Sequence, residues 1–191
     1  MSWTLQELLA SKHVEFCDNA WNVYGSRIHP AKSITATTGI DKSFLDGTHT
    51  PQHASVAGRI CWASNRSTMK PEDTAYCLLG LFNVNTPPLC GEKWKAFTRL
   101  QHEIIKSSDD ESIFAWVSNN GNTGLLAKSS KAFKDAKQIV KIRLDPTERL
   151  PYFITNKGVQ IRSASDTQAK DDFDRSTAQP MGYEDHVLEL G

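Results

Sequence analysis

The chain lacks the features that mark a membrane span, a secreted protein or a strongly charged binding surface. Its 191 residues carry 22 lysines and arginines and 22 aspartates and glutamates, so the formal net charge is +0. This balance provides no global attraction to nucleic acid or to anionic lipid. No apolar run approaches the roughly 20 residues that a membrane-spanning helix needs. The first residues lack the basic and apolar regions of a secretory signal, and we expect a cytoplasmic protein.

Cysteine is scarce, and glycine forms no phosphate-binding motif. The 4 cysteines are far apart in the chain. Because no two have the close spacing of a zinc knuckle, we predict reduced thiols and no metal site. The 11 glycines form neither G-x-x-x-x-G-K-[ST] nor G-x-G-x-x-G, which excludes these two phosphate loops. A hydrophobic content of 39% is nevertheless enough to build a core.

What the chain does contain is a set of amphipathic segments. Pro71 stands in a first-turn position, and Glu72 and Asp73 place negative charge where a helix dipole favours it. Gly80 is costly inside a helix, so it predicts either a close neighbour or an early helix end. Helices are predicted near residues 4–10, 56–63, 71–83 and 92–106.

The last of these helices has one apolar face and one basic face. Its predicted buried stripe consists of Trp94, Phe97, Leu100 or Gln101, and Ile104. The other side is a modestly basic face, which we interpret as ordinary solvated surface; it consists of Lys93, Lys95, Arg99 and Lys106.

The rest of the chain reads as short strands and turns. Residues 113–117 have the pattern of a strand, and so do 139–144, 159–161 and 187–190; one short helix is expected within 129–137. We therefore predict an α+β fold, with a helical N-terminal half followed by a small, mostly β C-terminal region. The predicted division is 1–54, 55–117 and 118–191, with a mobile polar loop near 163–180.

Three groups of residues are candidates for chemistry. Cys61 and Cys77 lie on apolar helices, so they are predicted to be core residues and not nucleophiles. His49 and His53 have a spacing that would suit a metal on a helix, but the glycine and proline around them predict a loop. The acidic run 109–111 would suit a divalent cation, although an exposed charged turn is the preferred interpretation.

Several stretches resemble fungal heterokaryon-incompatibility (HET domain) proteins. The main ones are 3–10 (WTLQELLA), 38–40 (TGI) and the long block 55–116, which contains AYCLLGLFNVNTPPLCGEK. Weaker resemblance continues through 124–133 (GLLAKSSKAF) and 151–161 (PYFITNKGVQI). Together they imply the C-terminal end of a HET core, plus the domain that follows it in vegetative incompatibility proteins.

The resemblance implies a role in nonself recognition, where the HET domain triggers programmed cell death after incompatible cells fuse. That domain is similar to TIR domains, several of which cleave NAD. Residues 3–8 have the spacing of the TIR motif that holds a catalytic glutamate. The resemblance therefore makes Glu7 a candidate catalytic carboxylate and NAD a possible substrate, with no other cofactor implied. From the residues alone, Glu7 lies three residues after Thr4, which is the N3 position of a capping box.

The family's upstream part has no counterpart in this sequence, so we expect the catalytic machinery to be incomplete. The preferred interpretation is a fragment of a heterokaryon-incompatibility protein without enzymatic activity. One alternative is an interaction or regulatory module that couples a HET core to partner domains. The other is a TIR-like NAD glycohydrolase that uses Glu7. The implied partners are proteins or other domains of a HET-type protein, and not nucleic acid.

Overall fold

The fold is α+β, with helices in the first half and strands near the C-terminus. The computed structural model describes residues 5–11, 13–26, 31–118, 124–141, 152–155, 158–160 and 187–189. The α-helices are α1 (Leu5–Ala10), α2 (Ala31–Thr38), α3 (Lys42–Leu45), α4 (Val56–Cys61), α5 (Pro71–Leu79) and α6 (Lys95–Ser107). The predicted fold class is confirmed, and each of the predicted helical segments contains an α-helix.

The strands form two small antiparallel sheets. They are β1 (Glu15–Cys17), β2 (Val23–Ser26), β3 (Phe153–Thr155), β4 (Gly158–Gln160) and β5 (Val187–Glu189). β1 and β2 form a hairpin, and the second sheet has the order β3-β4-β5. Short 3-10 helices connect the other elements: Pro51–His53, Gly80–Phe82, Glu111–Phe114, Ser130–Phe133 and Ala136–Gln138.

α5 begins and ends where its local chemistry requires. Pro71 occupies the first turn, as predicted, because its missing N–H has no partner there in any helix. The helix gives way to a 3-10 turn at Gly80, and the left-handed Asn83 (φ 54°) ends that turn. A Cβ on Gly80 would lie 2.6 Å from the side chain of Gln6. Both explanations for this glycine are therefore correct: the α-helix ends early, and α1 packs directly against it.

The core lies between α4 and the elements that surround it. Almost the whole of α4 is buried, although it has only 6 residues. Leu5 and Leu8 anchor α1 in the same cluster, Phe133 enters it from a 3-10 helix and Val159 from β4. Because helices this short are not stable alone, their stability comes from this packing.

Some local predictions were wrong. Residues 113–117 are not a strand: Glu111–Phe114 is a 3-10 helix, because the Asp110 side chain accepts the N–H of Ser112 and starts a turn. Asp110 itself is buried, so the acidic run is not simply an exposed turn. The helix expected within 129–137 is a pair of 3-10 turns, and 139–141 have no strand pairing.

Other predictions lie outside the described residues. These are the remainder of the strand at 142–144, the polar loop 163–180 and the Thr4 end of the capping box. The three-part division of the chain also stays a prediction. Within the described part of the chain, no helix is both long and apolar enough to cross a membrane.

Candidate functional site

The carboxylate that the resemblance singles out lies on the protein surface. Leu5 and Leu8 of α1 are buried, and Glu7 between them is exposed. Gln6 donates a hydrogen bond from Nε2 to the carbonyl of Cys77 at 3.4 Å, which fixes α1 to α5. Glu7 therefore faces away from the α1–α5 contact. Its catalytic role stays a prediction, as does its role in a capping box.

The two helical cysteines are held as neutral thiols. Burial raises the pKa of Cys61 and of Cys77 above the ordinary value. Each thiol also donates to a carbonyl oxygen, that of Lys134 for Cys61 (3.4 Å) and that of Thr74 for Cys77 (3.1 Å). Since the thiolate is the nucleophilic form, this environment suits packing better than catalysis. Cys17 and Cys90 are exposed, and all the cysteines are free.

The histidine pair lies in a loop, as the neighbouring residues predicted. The rings of His49 and His53 have centroids 5.5 Å apart. His53 belongs to a single 3-10 turn, and its Nδ1 is 2.9 Å from the hydroxyl of Thr50. Nowhere in the described ranges do three or more His, Cys, Asp or Glu side chains gather as metal ligands would.

Side chains from the residue before α4 and from a distant segment cap the first turn of α4. Ser55 is its N-cap residue: the Ser55 hydroxyl oxygen accepts the N–H of Gly58 at 3.0 Å. The same hydroxyl donates to the carbonyl of Ile139 at 2.5 Å, which ties the helix start to a distant segment. Ser55 thus uses its donor and an acceptor inside the protein.

Asp110 and Ser112 complete this cap. One Asp110 oxygen accepts the N–H of Val56 at 2.9 Å, and the other accepts that of Ser112 at 3.0 Å. The Ser112 hydroxyl accepts the N–H of Ala57 at 3.0 Å. Asp110 is only 4% exposed. Buried charges normally need such hydrogen bonds, so we assign this group, the α4 clamp (Ser55, Asp110 and Ser112), to structure and not to cation binding.

Gln101 is a second buried polar residue with a structural role. It is 0% exposed, and the neighbouring Leu100 is buried too, so both residues that the pattern left open are internal. Its amide pairs with both backbone groups of Ala127: Nε2 donates to the carbonyl at 2.8 Å, and Oε1 accepts the N–H at 3.0 Å. The Gln101 side chain thus supplies the hydrogen-bond partners that the buried backbone groups of Ala127 require.

Side chains of both helices bind the connection between α5 and α6, residues 84–94, which we call the elbow. Tyr76 of α5 holds its middle. The Tyr76 hydroxyl accepts the N–H of Leu89 at 2.9 Å and lies 2.7 Å from the Leu89 carbonyl. The hydroxyl is also 3.1 Å from Oε2 of Glu92. Its single proton can therefore be donated either to the Leu89 carbonyl or to the Glu92 carboxylate.

Charged side chains hold the elbow on either side of Leu89. Arg99 of α6 donates from both terminal nitrogens to the Pro87 carbonyl at 3.0 Å and from one of them to Glu92 at 2.7 Å. Glu72 of α5 accepts the N–H of Gly91 at 3.1 Å. Hydrogen bonds from its own N–H and from that of Gly91 lower the pKa of Glu72. The carboxylates near the elbow are therefore turned inward.

The outward side of the elbow has a different character. Leu89 is 50% exposed and Trp94 53% exposed. The prediction that Trp94 belongs to the buried stripe of α6 is therefore wrong, because the helix begins only at Lys95 and Trp94 precedes its buried face. Cys90, Lys93 and Lys95, neighbours of Leu89 and Trp94 in the sequence, are exposed too. Sequence reasoning missed this arrangement, because it treated the lysines as solvated surface and gave Tyr76 no role. A signal was present only in the two prolines, which predict a break between the helices.

Comparison with known proteins gives two matches. Residues 95–157 match a family described as "Domain of unknown function (DUF8212)". Over 105 residues, which are 54% of this chain, the sequence is 40% identical to the vegetative incompatibility protein HET-E-1 of Podospora anserina. That match spans only 8% of the length of the Podospora protein. No solved structure matches. Over about half its length, this chain is therefore similar to a fungal vegetative incompatibility protein of the HET-E type.

Proposed function

We propose that this chain is a segment of a heterokaryon-incompatibility protein and serves there as an interaction module rather than as the catalyst. The observation that carries the proposal is the 40% identity with HET-E-1 over 105 residues. In this proposal the segment belongs to the C-terminal end of a HET core and the domain that follows it. It acts in the cytoplasm, and its partners are other domains or proteins of the pathway that leads to cell death.

The site geometry supports a binding role. Three inward-facing carboxylates, those of Glu72, Glu92 and Asp110, are occupied by backbone N–H groups or by Arg99. Groups whose hydrogen-bonding capacity is used in this way stabilise the fold and are not placed to transfer protons. The elbow, in contrast, presents apolar side chains to solvent on a fixed backbone. Such a surface is suited to contact with another protein.

An NAD glycohydrolase that uses Glu7 is the second candidate. The exposure of Glu7 favours it, since an accessible carboxylate can approach a ligand. A carboxylate near the ribose would stabilise the oxocarbenium-like charge that develops as nicotinamide leaves. This second candidate also requires that the chain be part of a TIR-like domain.

A chimera tests the proposed role. The matching stretch of this chain would replace its counterpart in HET-E-1, and incompatible strains of Podospora anserina would be scored for the cell-death reaction. We expect the reaction to be retained, because the module supplies equivalent contacts. The same chimera with Asp110→Ala serves as control and should lose the reaction, because α4 loses its cap. Loss of the reaction in a chimera that accumulates to normal levels would contradict the proposal.

A separate assay decides between the two candidates. NAD consumption would be measured for the purified chain, for Glu7→Gln and for Glu111→Gln, which changes another exposed carboxylate in the same way. We expect no turnover that depends on Glu7. Turnover that disappears in Glu7→Gln and persists in Glu111→Gln would replace the interaction module with the hydrolase.

A further inference from the structure

We propose that the elbow is the docking surface for an acidic peptide segment of a partner protein. Apolar side chains of that segment would pack on Leu89 and Trp94, and its carboxylates would pair with Lys93 and Lys95. This inference deepens the proposed function, because it names the contact surface of the interaction module.

The first argument is the rigidity of the elbow. Loops between helices are usually mobile, and ordering each residue costs about 1–2 kcal/mol of conformational entropy. Here Tyr76, Glu72 and Arg99 all reach out of α5 and α6 to bind elbow backbone groups. A loop that is already ordered does not have to be ordered on binding, so its partner binds with a smaller entropic cost.

The second argument is what this rigid loop displays. Leu89 and Trp94 each expose about half of their surface to water, although the helices before and after them, α5 and α6, both contribute side chains to the core. Tyr76 binds both backbone groups of Leu89, and this contact helps to hold Leu89 at the surface. Tryptophan is the residue most enriched at the energetic centres of protein interfaces. The apolar part of the surface therefore has an anchor of the appropriate type.

The third argument is charge. Along 84–95 the exposed charged side chains are Lys93 and Lys95. The one carboxylate of this stretch, Glu92, is 17% exposed and lies 2.7 Å from Arg99, so its charge is compensated within the protein. Lys93 adopts a left-handed backbone conformation (φ 52°) directly before Trp94. Two cations that flank an exposed indole are complementary to carboxylates that flank an apolar side chain.

A nucleic acid or an anionic membrane would also attract the two lysines, but neither matches the rest of the surface. The chain has a formal net charge of +0, whereas polyanion binding depends on many simultaneous phosphate contacts. An exposed leucine in the same ordered loop as the indole fits the side chains of a peptide better than it fits a phosphate backbone. We therefore commit to the peptide and treat the other two as outcomes of the test.

The test begins with a random peptide library displayed on phage and selected on the full chain. We expect enrichment of peptides that combine acidic with large apolar residues. One enriched peptide, labelled with fluorescein, would then be titrated by fluorescence anisotropy against the wild type, Trp94→Ala and a Lys93→Glu/Lys95→Glu double variant. Both variants should bind about tenfold more weakly or worse. The charge reversal changes only exposed side chains, so it remains informative if Trp94→Ala folds poorly.

Matched controls come from equivalent residues elsewhere. Trp21→Ala removes another exposed tryptophan, and Lys131→Glu reverses the charge of another exposed lysine. Both should bind the peptide like the wild type. The proposal is overturned if no acidic peptide is enriched, or if the controls weaken binding as much as the elbow variants do. It is also overturned if the elbow variants weaken binding only to single-stranded DNA or phosphatidylserine vesicles.

The exposed thiol inside the elbow gives an independent readout. In a Cys17→Ser background, Cys90 is the exposed cysteine, and its rate of reaction with a maleimide reports access to the elbow. Saturation with the selected peptide should slow that reaction severalfold; an unchanged rate would place the peptide elsewhere and refute the proposal. Failure here would remove only this surface, whereas failure of the Podospora chimera would remove the proposed function itself.

Discussion

Replacing Asp110 by alanine removes the acceptors of two backbone N–H groups, those of Val56 and Ser112. Asp110 is 4% exposed, so water does not readily replace its carboxylate. A buried donor left without an acceptor costs about 1–3 kcal/mol, and two such donors cost about 2–6 kcal/mol. Against a typical unfolding free energy of about 5–15 kcal/mol, the loss is large enough to unfold part of the population.

Two further substitutions separate the cap from the general effect of removing a carboxylate. In Asp110→Asn one side-chain oxygen remains as an acceptor, so about half of the loss is expected. Asp109→Ala removes the neighbouring carboxylate, which is half exposed and 3.2 Å from Lys141. Exposed ion pairs contribute about 0–1 kcal/mol, and this control should therefore be nearly as stable as the wild type.

Urea unfolding at neutral pH, followed by far-ultraviolet circular dichroism, would measure all three variants. The expected order of stability is Asp109→Ala, then Asp110→Asn, then Asp110→Ala. If Asp110→Ala were as stable as Asp109→Ala within about 0.5 kcal/mol, the capping argument would be refuted, because that is the usual size of a surface effect.

Three other predictions follow from buried and half-buried groups. Gln101→Leu leaves both backbone groups of Ala127 without partners, so urea unfolding should show a loss of about 2–6 kcal/mol; a loss below about 1 kcal/mol would contradict the pairing. Partial burial lowers the pKa of His102, so as the pH falls the unfolded chain takes up this proton before the folded chain does. The neutral imidazole therefore contributes to folding stability above pH 6.5, and that contribution is lost as the pH falls through the lowered folded-state pKa. His102→Gln should flatten that dependence between about pH 7.5 and pH 5.5, and an equal slope in both proteins would argue against it. Burial also raises the pKa of Cys61 and Cys77, so a thiol reagent near pH 8 should modify the two exposed cysteines quickly and these two only after urea is added; four equal rates would be inconsistent with the fold.

Sequence patterns predicted the elements whose causes are local. The apolar spacing of α5 and α6, the proline at the start of α5 and the glycine after it lie within single stretches of chain. Asp110 was misjudged for the opposite reason, since its partner Val56 lies 54 residues away. An acidic run has the same sequence pattern whether its side chains face water or cap another helix. Gln101 is similar, because its partner lies 26 residues further along.

The candidate site was less predictable than the fold. Resemblance directed attention to Glu7, and the structure adds that this residue is exposed. The elbow depends on Tyr76 and Arg99, which lie on two different helices and meet only because those helices pack together. No periodicity of either helix shows where such side chains converge. The features that sequence analysis missed therefore depend on hydrogen bonds between elements that are distant in the sequence.

The α4 clamp has a consequence for synthesis of the protein on the ribosome. α4 leaves the exit tunnel well before Asp110 and Ser112, and Ile139, whose carbonyl accepts the Ser55 hydroxyl, follows last. Six residues do not form a stable helix alone, so this apolar segment has only its local Ser55 cap and stays exposed until the distant partners in the clamp have been translated. Protease digestion of arrested nascent chains would show when protection begins. During that interval α4 is a natural target for chaperones, and the order of translation places the centre of the core at risk of aggregation until the segment that caps it has been made.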